Sequence, residues 1–144
     1  MGKSVIIIPA RLSATRLPRK PLLKINNIPM IIHTMRCGEK SNIGDVIIAT
    51  PDKEIFDLVE KYSGKAIITR KDHASGTDRV FEVIAKLFDD DIKICINLQV
   101  DLPNINSKDI KKLNYLMQKH RCDIGTLASP IKNTDELENR NIVK

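Results

Sequence analysis

Basic side chains are concentrated in the first quarter of the chain. Residues 1–38 contain seven lysines and arginines and no acidic residue, and the first carboxylate is Glu39. Because the formal net charge is +6, the residues from 39 onward carry a net charge of −1. A diffuse basic surface is typical of nucleic-acid binding. A basic loop that leaves a buried strand instead indicates a site for a small polyanion, such as a nucleoside triphosphate.

The basic loop follows the apolar run at residues 5–8 and contains Arg11, Arg16, Arg19 and Lys20. Arginine makes bidentate contacts with phosphate oxygens, and lysine supplies a mobile point charge. None of the six glycines forms a G-x-G-x-x-G or G-x-x-x-x-G-K-[ST] motif, so side chains must do much of any phosphate binding. The alternative interpretation is a solvated basic turn, which the clustering and the absence of a neutralising acid disfavour.

A second candidate segment lies at residues 72–79, after the third predicted strand. Ser75, Gly76 and Thr77 would supply hydroxyl groups and backbone N–H groups at the start of a helix. Such groups suit a base edge, a ribose or a phosphate. The alternative is a plain N-cap formed by Ser75 or Thr77, and the spacing alone does not decide between them.

A third candidate segment follows the fourth predicted strand. Asp101 is a single carboxylate at the carboxyl end of that strand, with Gln99 two residues before it. Mg²⁺ is commonly held by one or two carboxylates together with substrate phosphates and water. The alternatives are a loop aspartate that hydrogen-bonds its own turn and a glutamine that merely ends a strand.

Short, nearly continuous apolar runs alternate with helical patterns between these segments. The runs predict strands at residues 4–9, 45–50, 65–69, 92–98 and 123–129, each buried on both faces as in a parallel sheet. Helices are predicted at residues 29–40, 51–62, 77–88 and 107–120, with Asp52 and Ser107 as N-caps of the second and fourth and Thr134 as the cap of a final helical start. The alternation predicts an α/β layer fold, in which ligands bind at the carboxyl ends of the strands.

Composition restricts the class of protein. The length of 144 residues suits one domain, and 42% hydrophobic residues allow a real core. No apolar run is long enough for a membrane span, and no signal-peptide pattern is present, so we expect a cytoplasmic protein without membrane association. The three cysteines, which we expect to be buried free thiols, fit a reducing compartment. Aromatic residues make up only 3%, which disfavours an RNA-binding domain that stacks bases.

The three candidate segments together resemble the sugar-nucleotide cytidylyltransferases, and most closely the 3-deoxy-manno-octulosonate (Kdo) cytidylyltransferase family. The family's opening motif IIPAR…TRLP.KPL is matched at residues 7–22. Its central motif DH.SGTDR is matched by Asp72, His73 and residues 75–79. Its third motif N.QGDEP.I is matched by Asn97, Gln99, Asp101, Pro103 and Ile105.

The resemblance implies a Rossmann-like α/β fold of the nucleotide-diphospho-sugar transferase type, with a mostly parallel sheet and helices on both faces. It implies transfer of a cytidylyl group from CTP to Kdo, which gives CMP-Kdo and pyrophosphate for lipopolysaccharide biosynthesis. By the same resemblance, Arg11, Arg16 and Lys20 would bind the triphosphate, and Asp101 would bind Mg²⁺. Arg11, Lys20 and Asp101 would carry catalysis. The cytidine site would be lined by Ser75, Gly76, Thr77, Arg79 and Gln99.

The resemblance also includes departures from the family pattern. Val100 stands where the family has glycine, and a β-branched residue resists the positive φ and the close backbone approach that glycine permits. Arg19 likewise replaces a usual glycine, Leu102 a usual acid, Ala14 a usual serine and Pro51 a usual acid. Val100, together with a family match that lacks the C-terminal half, supports an alternative interpretation, a non-catalytic CTP-binding remnant or pseudoenzyme.

The family match covers only the N-terminal part of a usual member. We therefore expect residues 1–144 to be the nucleotide-binding portion, with the sugar-binding and dimerisation half beyond residue 144. The last residues, 141–144, resemble a strand that is just beginning, which predicts that the fold continues past the end of this chain. The family also implies a possible homodimer in the full-length protein.

Overall fold

Four parallel strands form one sheet in the computed structural model, which describes residues 2–13, 17–87, 89–120 and 122–139. In chain order the strands are β1 (Lys3–Pro9), β2 (Lys24–Ile25), β3 (Ile28–Pro29), β4 (Gly44–Thr50), β5 (Lys65–Ile68) and β6 (Ile92–Asn97). The strands of the parallel sheet lie in the order β5-β4-β1-β6, and β2 and β3 pair separately as an antiparallel hairpin. The predicted α/β sheet is confirmed, with four of its five predicted strands.

Strand β1 is central because its residues are apolar on both faces. Val5, Ile6, Ile7 and Ile8 are all buried, and β1 pairs in parallel with β4 on one side and β6 on the other. A strand buried on both faces cannot alternate apolar with polar residues, which accounts for the continuous apolar run.

Helices cover both faces of the sheet, as predicted. They are α1 (Met30–Ser41), α2 (Lys53–Lys61), α3 (Gly76–Leu87), α4 (Ser107–Lys119) and the short α5 (Thr134–Glu138), and a 3₁₀ turn occupies Lys20–Leu22. One core cluster joins Ile6 and Ile8 to α1, α2 and α4. The other joins Val5 and Ile7 to Val80 and Val83 of α3. The bounds of the first four helices agree with the predictions to within two residues, and residue 88 lies outside the described residues.

The β2–β3 hairpin was not predicted. Its two-residue connection consists of Asn26 and Asn27, whose φ angles are 48° and 63°. A type I′ turn needs positive φ at both central positions, and asparagine tolerates that conformation. The Ile-Asn-Asn-Ile segment therefore carried a hairpin signal that a search for long apolar runs overlooks.

The prediction of a strand at residues 123–129 is wrong. Among the described residues, no backbone hydrogen bond joins this segment to β6, and the side chain of Ile124 is 88% exposed. Gly125 instead lies against α4, where an added Cβ would meet Met117 Sδ at 2.5 Å. An apolar, β-branched run suits a strand only when a partner strand is available, so composition alone could not decide.

Two predicted helix caps are displaced by one residue. Asn106, not Ser107, caps α4, and its side chain accepts a hydrogen bond from the N–H of Lys108 at 2.9 Å. Asn133, not Thr134, caps α5 in the same way. In both places an asparagine precedes the predicted residue, and asparagine caps at least as well as serine or threonine.

The cysteines are free, as predicted, but not all are buried. Cys37 is half-buried, whereas Cys95 and Cys122 are exposed. Cys95 lies on β6, one of the two edge strands of the sheet, and composition does not reveal which strands will be at the edges. None of the described helices has the length and apolar character needed to cross a membrane.

Candidate functional site

The strand order identifies where a ligand should bind. After β1 the chain proceeds to β4 and β5 on one side, and then returns to place β6 on the other side of β1. In open parallel sheets, ligands bind outside the carboxyl ends of the strands at such a reversal. The loops that follow β1 and β6 flank this point, and they carry Arg11, Lys20, Gln99 and Asp101.

A cavity of about 210 Å³ lies at this reversal. It is lined by Pro9, Ala10, Arg11, Ser75, Gly76, Arg79 and Gln99. Five of the predicted site residues are thereby brought together from three segments distant in sequence. Larger cavities, up to about 490 Å³, lie elsewhere on the described surface. We favour the smaller one because it lies at the reversal of strand order, where open parallel sheets bind their ligands, and because polar groups from three segments converge on it.

Lys20 and Asp101 meet in the turn that follows Gln99, which is one of the residues lining this cavity. Lys20 Nζ lies 2.8 Å from Asp101 Oδ2, and the two side chains are 32% and 49% exposed. The predicted phosphate-binding cation and the predicted metal-binding carboxylate are therefore neighbours, although 81 residues separate them in sequence. Thr77 does not line the cavity, and Arg16 lies outside the described residues.

The first turn of α2 holds both ends of the basic loop. Asp52 occupies the N-cap position, as predicted, but its carboxylate accepts a hydrogen bond from the N–H of Leu12 at 2.8 Å rather than capping the helix. Glu54 pairs with Arg19 at the far end of the loop. Sequence reasoning missed both contacts, because they join segments about 40 residues apart with no local pattern.

Arg19 adopts a backbone conformation that suits glycine. Its φ of 59° and ψ of 20° place it in the left-handed region immediately before the 3₁₀ turn that carries Lys20. Arg19 is one of the two residues that stand where the family pattern has glycine. A non-glycine residue in this conformation costs roughly 1–2 kcal/mol.

Ser75 caps α3 and also faces the cavity. Its hydroxyl donates to Asp78 Oδ2 at 2.7 Å and accepts from the N–H of Asp78 at 3.2 Å. The capping interpretation is therefore confirmed, and it does not exclude binding, because the cap fixes the first turn of α3 against the cavity. Gly76 permits the close approach, since a Cβ there would lie 3.3 Å from Pro9 Cγ.

Arg79 forms a buried part of the cavity wall. It is 3% exposed, and its guanidinium donates to Thr69 Oγ1 and to the carbonyl of Arg70 at 2.8 Å. Burial lowers the pKa of Arg79, and the positive charge of Arg11 lowers it further. The carboxylates of Glu82 and Asp52 act in the opposite direction and raise this pKa, so the charge of Arg79 is partly balanced within the protein.

A second polar cluster fixes the segment that precedes Ser75. The Glu82 carboxylate accepts hydrogen bonds from His73 Nε2, from the N–H of Arg70 at 3.0 Å and from Lys86. Burial raises the pKa of Glu82, but the hydrogen bonds from Lys86, His73 and Arg70 outweigh it and lower the pKa to about 2. The side chain of His73 is buried against this carboxylate, which gives it a structural role.

The segment that bears Asp101 is a tight turn. The N–H of Leu102 donates to the carbonyl of Gln99 at 3.3 Å, so Val100 and Asp101 are the central residues of the turn. Neither central residue has a positive φ, so Val100 fits the turn without strain. The Gln99 side chain donates to Asn97 Oδ1 at 2.8 Å.

Metal binding at this site would depend on the nucleotide. The described residues contain no group of three or more His, Cys, Asp or Glu side chains placed to hold a metal ion. A single carboxylate such as Asp101 nonetheless fits Mg²⁺, which commonly takes one or two carboxylates and completes its coordination with phosphate oxygens and water.

Comparisons with known proteins agree on one family. A family model described as cytidylyltransferase matches residues 5–144. The chain is 43% identical over 143 residues to the 3-deoxy-manno-octulosonate cytidylyltransferase of Rhodopseudomonas palustris, and 42% identical over 140 residues to that of Wigglesworthia glossinidia brevipalpis. These matches include 99% and 97% of this chain, respectively. The chain spans only 58% of the length of each relative.

Solved structures share the fold. A structure of CMP:2-keto-3-deoxy-manno-octonic acid synthetase complexed with CTP superposes with a TM-score of 0.77 and 43% identity, over 83% of this chain and 48% of that one. A cytidylyltransferase from Leptospira borgpetersenii superposes with a TM-score of 0.72 at 21% identity, over 84% of this chain and 51% of that one. The second likeness concerns the fold alone.

Proposed function

The chain belongs to the cytidylyltransferase family, and from that premise we propose that it binds CTP and transfers its cytidylyl group to Kdo, which gives CMP-Kdo and pyrophosphate. The observation that carries the proposal is the contact between Lys20 and Asp101 at the reversal of strand order. A cation for phosphate and a carboxylate for Mg²⁺ are in contact there, and Asp101 lies two residues after Gln99, which lines the cavity. The named activity of relatives that are 43% identical supports the same substrates.

In the proposed reaction, a sugar hydroxyl attacks the α-phosphorus of CTP and pyrophosphate leaves in line. Arg11 and Lys20 hold the triphosphate, so that the leaving pyrophosphate develops its charge next to fixed cations. Arg16, which lies outside the described residues, is proposed to add a third cation. Positioning of the two substrates and stabilisation of phosphate charge then account for catalysis.

Asp101 is the residue proposed to hold Mg²⁺. The bound ion would neutralise phosphate charge. When CTP arrives, Lys20 exchanges its contact with Asp101 for a contact with phosphate, which leaves the carboxylate available to the metal. The exchange requires little free energy because an ion pair this exposed contributes only about 0–1 kcal/mol to stability.

The cytidine moiety is proposed to occupy the 210 Å³ cavity. Ser75 caps α3 and Gly76 and Thr77 start it, and the first N–H groups of a helix have no partner within it. Gln99 offers an amide for the edge of the base, and the buried Arg79 supports the wall from behind. Ser75 contributes mainly by its cap, since Asp78 already occupies its hydroxyl.

The biological setting is part of the proposal. Formation of CMP-Kdo would serve lipopolysaccharide biosynthesis, in the cytoplasm where CTP is available, with CTP and Kdo as small-molecule partners and no nucleic acid or membrane partner. Residues 1–144 would supply the nucleotide-binding portion, with the sugar-binding half and a homodimer interface belonging to the full-length family.

A second candidate function is CTP binding without transfer. It is favoured by the small set of metal ligands, because the described residues contain no group of three or more His, Cys, Asp or Glu side chains placed to hold an ion. Both candidates predict CTP binding, and only the first predicts turnover.

The experiment that separates them measures Mg²⁺-dependent release of pyrophosphate from CTP, with and without Kdo, alongside a titration of CTP binding. Release that requires Kdo supports transfer. Binding without release supports the non-catalytic alternative. Failure to bind CTP at all refutes both.

A further inference from the structure

Two side chains of α1 hold the turn that bears Asp101. Thr34 Oγ1 donates to the carbonyl of Val100 at 2.8 Å, immediately before Asp101. One helical turn later, Cys37 Sγ lies 3.4 Å from the carbonyl of Pro103, two residues after Asp101. Asp101 is thus bracketed by hydrogen bonds from one helix, and neither donor belongs to the predicted site.

The Thr34 contact falls on the peptide that decides the form of the turn. In the turn closed by the Leu102 N–H and the Gln99 carbonyl, the peptide between Val100 and Asp101 is the central one. Rotation of that peptide by half a turn converts one β-turn type into another and changes the backbone angles on both sides. A donor fixed to the Val100 carbonyl therefore selects one orientation of Asp101.

Burial makes this donor rigid. Thr34 is 0% exposed, so no solvent competes for its hydroxyl. The competing acceptor is the carbonyl of Met30 in the same helix, at 3.3 Å. Since the hydroxyl has a single proton, the shorter contact with Val100 is the favoured one.

The same helix also holds the chain that follows Lys20. The N–H of Met30 donates to the carbonyl of Leu23 at 2.8 Å, and His33 Nε2 lies 2.8 Å from the carbonyl of Ile25. Helix α1 therefore contacts both the segment that bears Asp101 and the segment that follows Lys20.

We propose that Thr34 is a positioning residue for Asp101: its buried hydroxyl locks the Val100–Asp101 peptide and so aims the carboxylate at the metal and phosphate side of the site. The part of this proposal that concerns metal and phosphate rests on the function proposed above. The part that concerns the turn stands on geometry alone, and the two parts have separate readouts.

The test compares Thr34→Val, which keeps the shape and removes the hydroxyl, with Thr34→Ser, which keeps the hydroxyl. Amide hydrogen exchange at Leu102 reports the turn without any ligand. We expect about tenfold faster exchange in the valine variant, as befits loss of one hydrogen bond, and near-normal exchange in the serine variant. Equal Leu102 exchange in wild type and Thr34→Val overturns the proposal, whatever CTP does.

The second readout is the gain in CTP affinity on adding Mg²⁺, relative to EDTA. Thr34→Val should reduce this gain, Thr34→Ser should restore it, and CTP binding in EDTA should stay unchanged. In an Asp101→Asn background, Thr34→Val should cause no further loss. An additional loss there would mean that Thr34 acts on general packing, which overturns its role through Asp101. If wild type binds no CTP, the proposed function is refuted, while the exchange result still decides whether Thr34 holds the turn.

Discussion

The Lys20–Asp101 ion pair is a resting arrangement of two groups that the proposed reaction needs separately. Lys20 Nζ lies 2.8 Å from Asp101 Oδ2, yet both side chains remain partly exposed. Such pairs contribute about 0–1 kcal/mol to stability, so a triphosphate with its metal can replace the contact at little cost. The ion pair therefore leaves both side chains accessible to a ligand and holds them together at the site.

Replacement of Lys20 tests the placement of the triphosphate. Lys20→Ala should weaken CTP binding by about tenfold or more, because a hydrogen bond to a charged group contributes roughly 1.5–3 kcal/mol. Isothermal titration in Mg²⁺ measures the effect. Lys24→Ala is the matched control, since it removes an equal charge from the exposed strand β2. Equal affinities for wild type and Lys20→Ala would refute the placement.

Replacement of Arg19 tests the left-handed conformation at the end of the basic loop. Arg19→Gly and Arg19→Ala both lose the contact with Glu54, but only glycine adopts φ 59° without strain. The glycine variant should be more stable than the alanine variant by about 1 kcal/mol. Urea unfolding measures the difference. An alanine variant as stable as the glycine variant would show that the backbone at this position is unstrained.

Residue identities were predictable where a local pattern marks them. The sequence indicated that Arg11, Gln99 and Asp101 follow strands, and the structure places all three beside the reversal of strand order. The partners that hold them were not predictable. Asp52 reaches back to Leu12 and Thr34 reaches forward to Val100, and such contacts depend on three-dimensional packing rather than on spacing.

At the scale of elements, the fold was readable wherever the hydrophobic period was strong. Buried strands β1 and β4 and helix α1 between them match their predicted positions closely. The predictions failed at segments whose structure depends on strand pairing or on a turn and not on the hydrophobic period alone. Residues 123–129 have a strand composition but no strand pairing, and the β2–β3 hairpin has a turn signal but strands of only two residues each.

The start of α4 supplies a prediction at this scale. Asn106→Ala should destabilise the protein by about 1 kcal/mol, because it removes the side-chain acceptor for the first turn. Ser107→Ala, one residue later, should change stability by less than about 0.5 kcal/mol. Thermal or urea unfolding compares the two. A larger loss at Ser107 would restore the original expectation that serine is the cap.

For the whole molecule, the cations of residues 1–38 lie at both ends of the parallel strands. In the basic loop, at the carboxyl ends of the strands, Lys20 pairs with Asp101 and Arg19 with Glu54. At the opposite end, Lys3 pairs with Asp89 at 3.0 Å. The sequence revealed the basic excess in residues 1–38. It could not reveal which of those cations are neutralised by remote acids, because each such pair joins segments far apart in the chain.

Acid stability provides a prediction for the whole molecule. The pKa of Glu82 is about 2 in the folded protein against 4.5 ordinarily, so its contribution is fully present above pH 4.5 and is lost as the pH falls through 2. The stability advantage of wild type over Glu82→Gln should therefore shrink between pH 5 and pH 2, by up to about 3 kcal/mol. Urea unfolding across this range measures it, with Glu60→Gln on the exposed side of α2 as control. A difference that does not vary with pH would contradict the proposed hydrogen bonds to Glu82.

A ¹H–¹⁵N NMR titration of the chain with CTP and Mg²⁺ tests directly whether CTP binds where the strand order reverses. We predict saturable shifts of the amides that border the cavity and the Asp101 turn, namely those of residues 10–12, 75–79 and 99–102. Amides at the opposite edge of the sheet, at residues 3–4, 44–45 and 92–93, should remain unchanged. Shifts confined to the opposite edge, or no saturable shift at all, would contradict the claim that CTP binds where the strand order reverses.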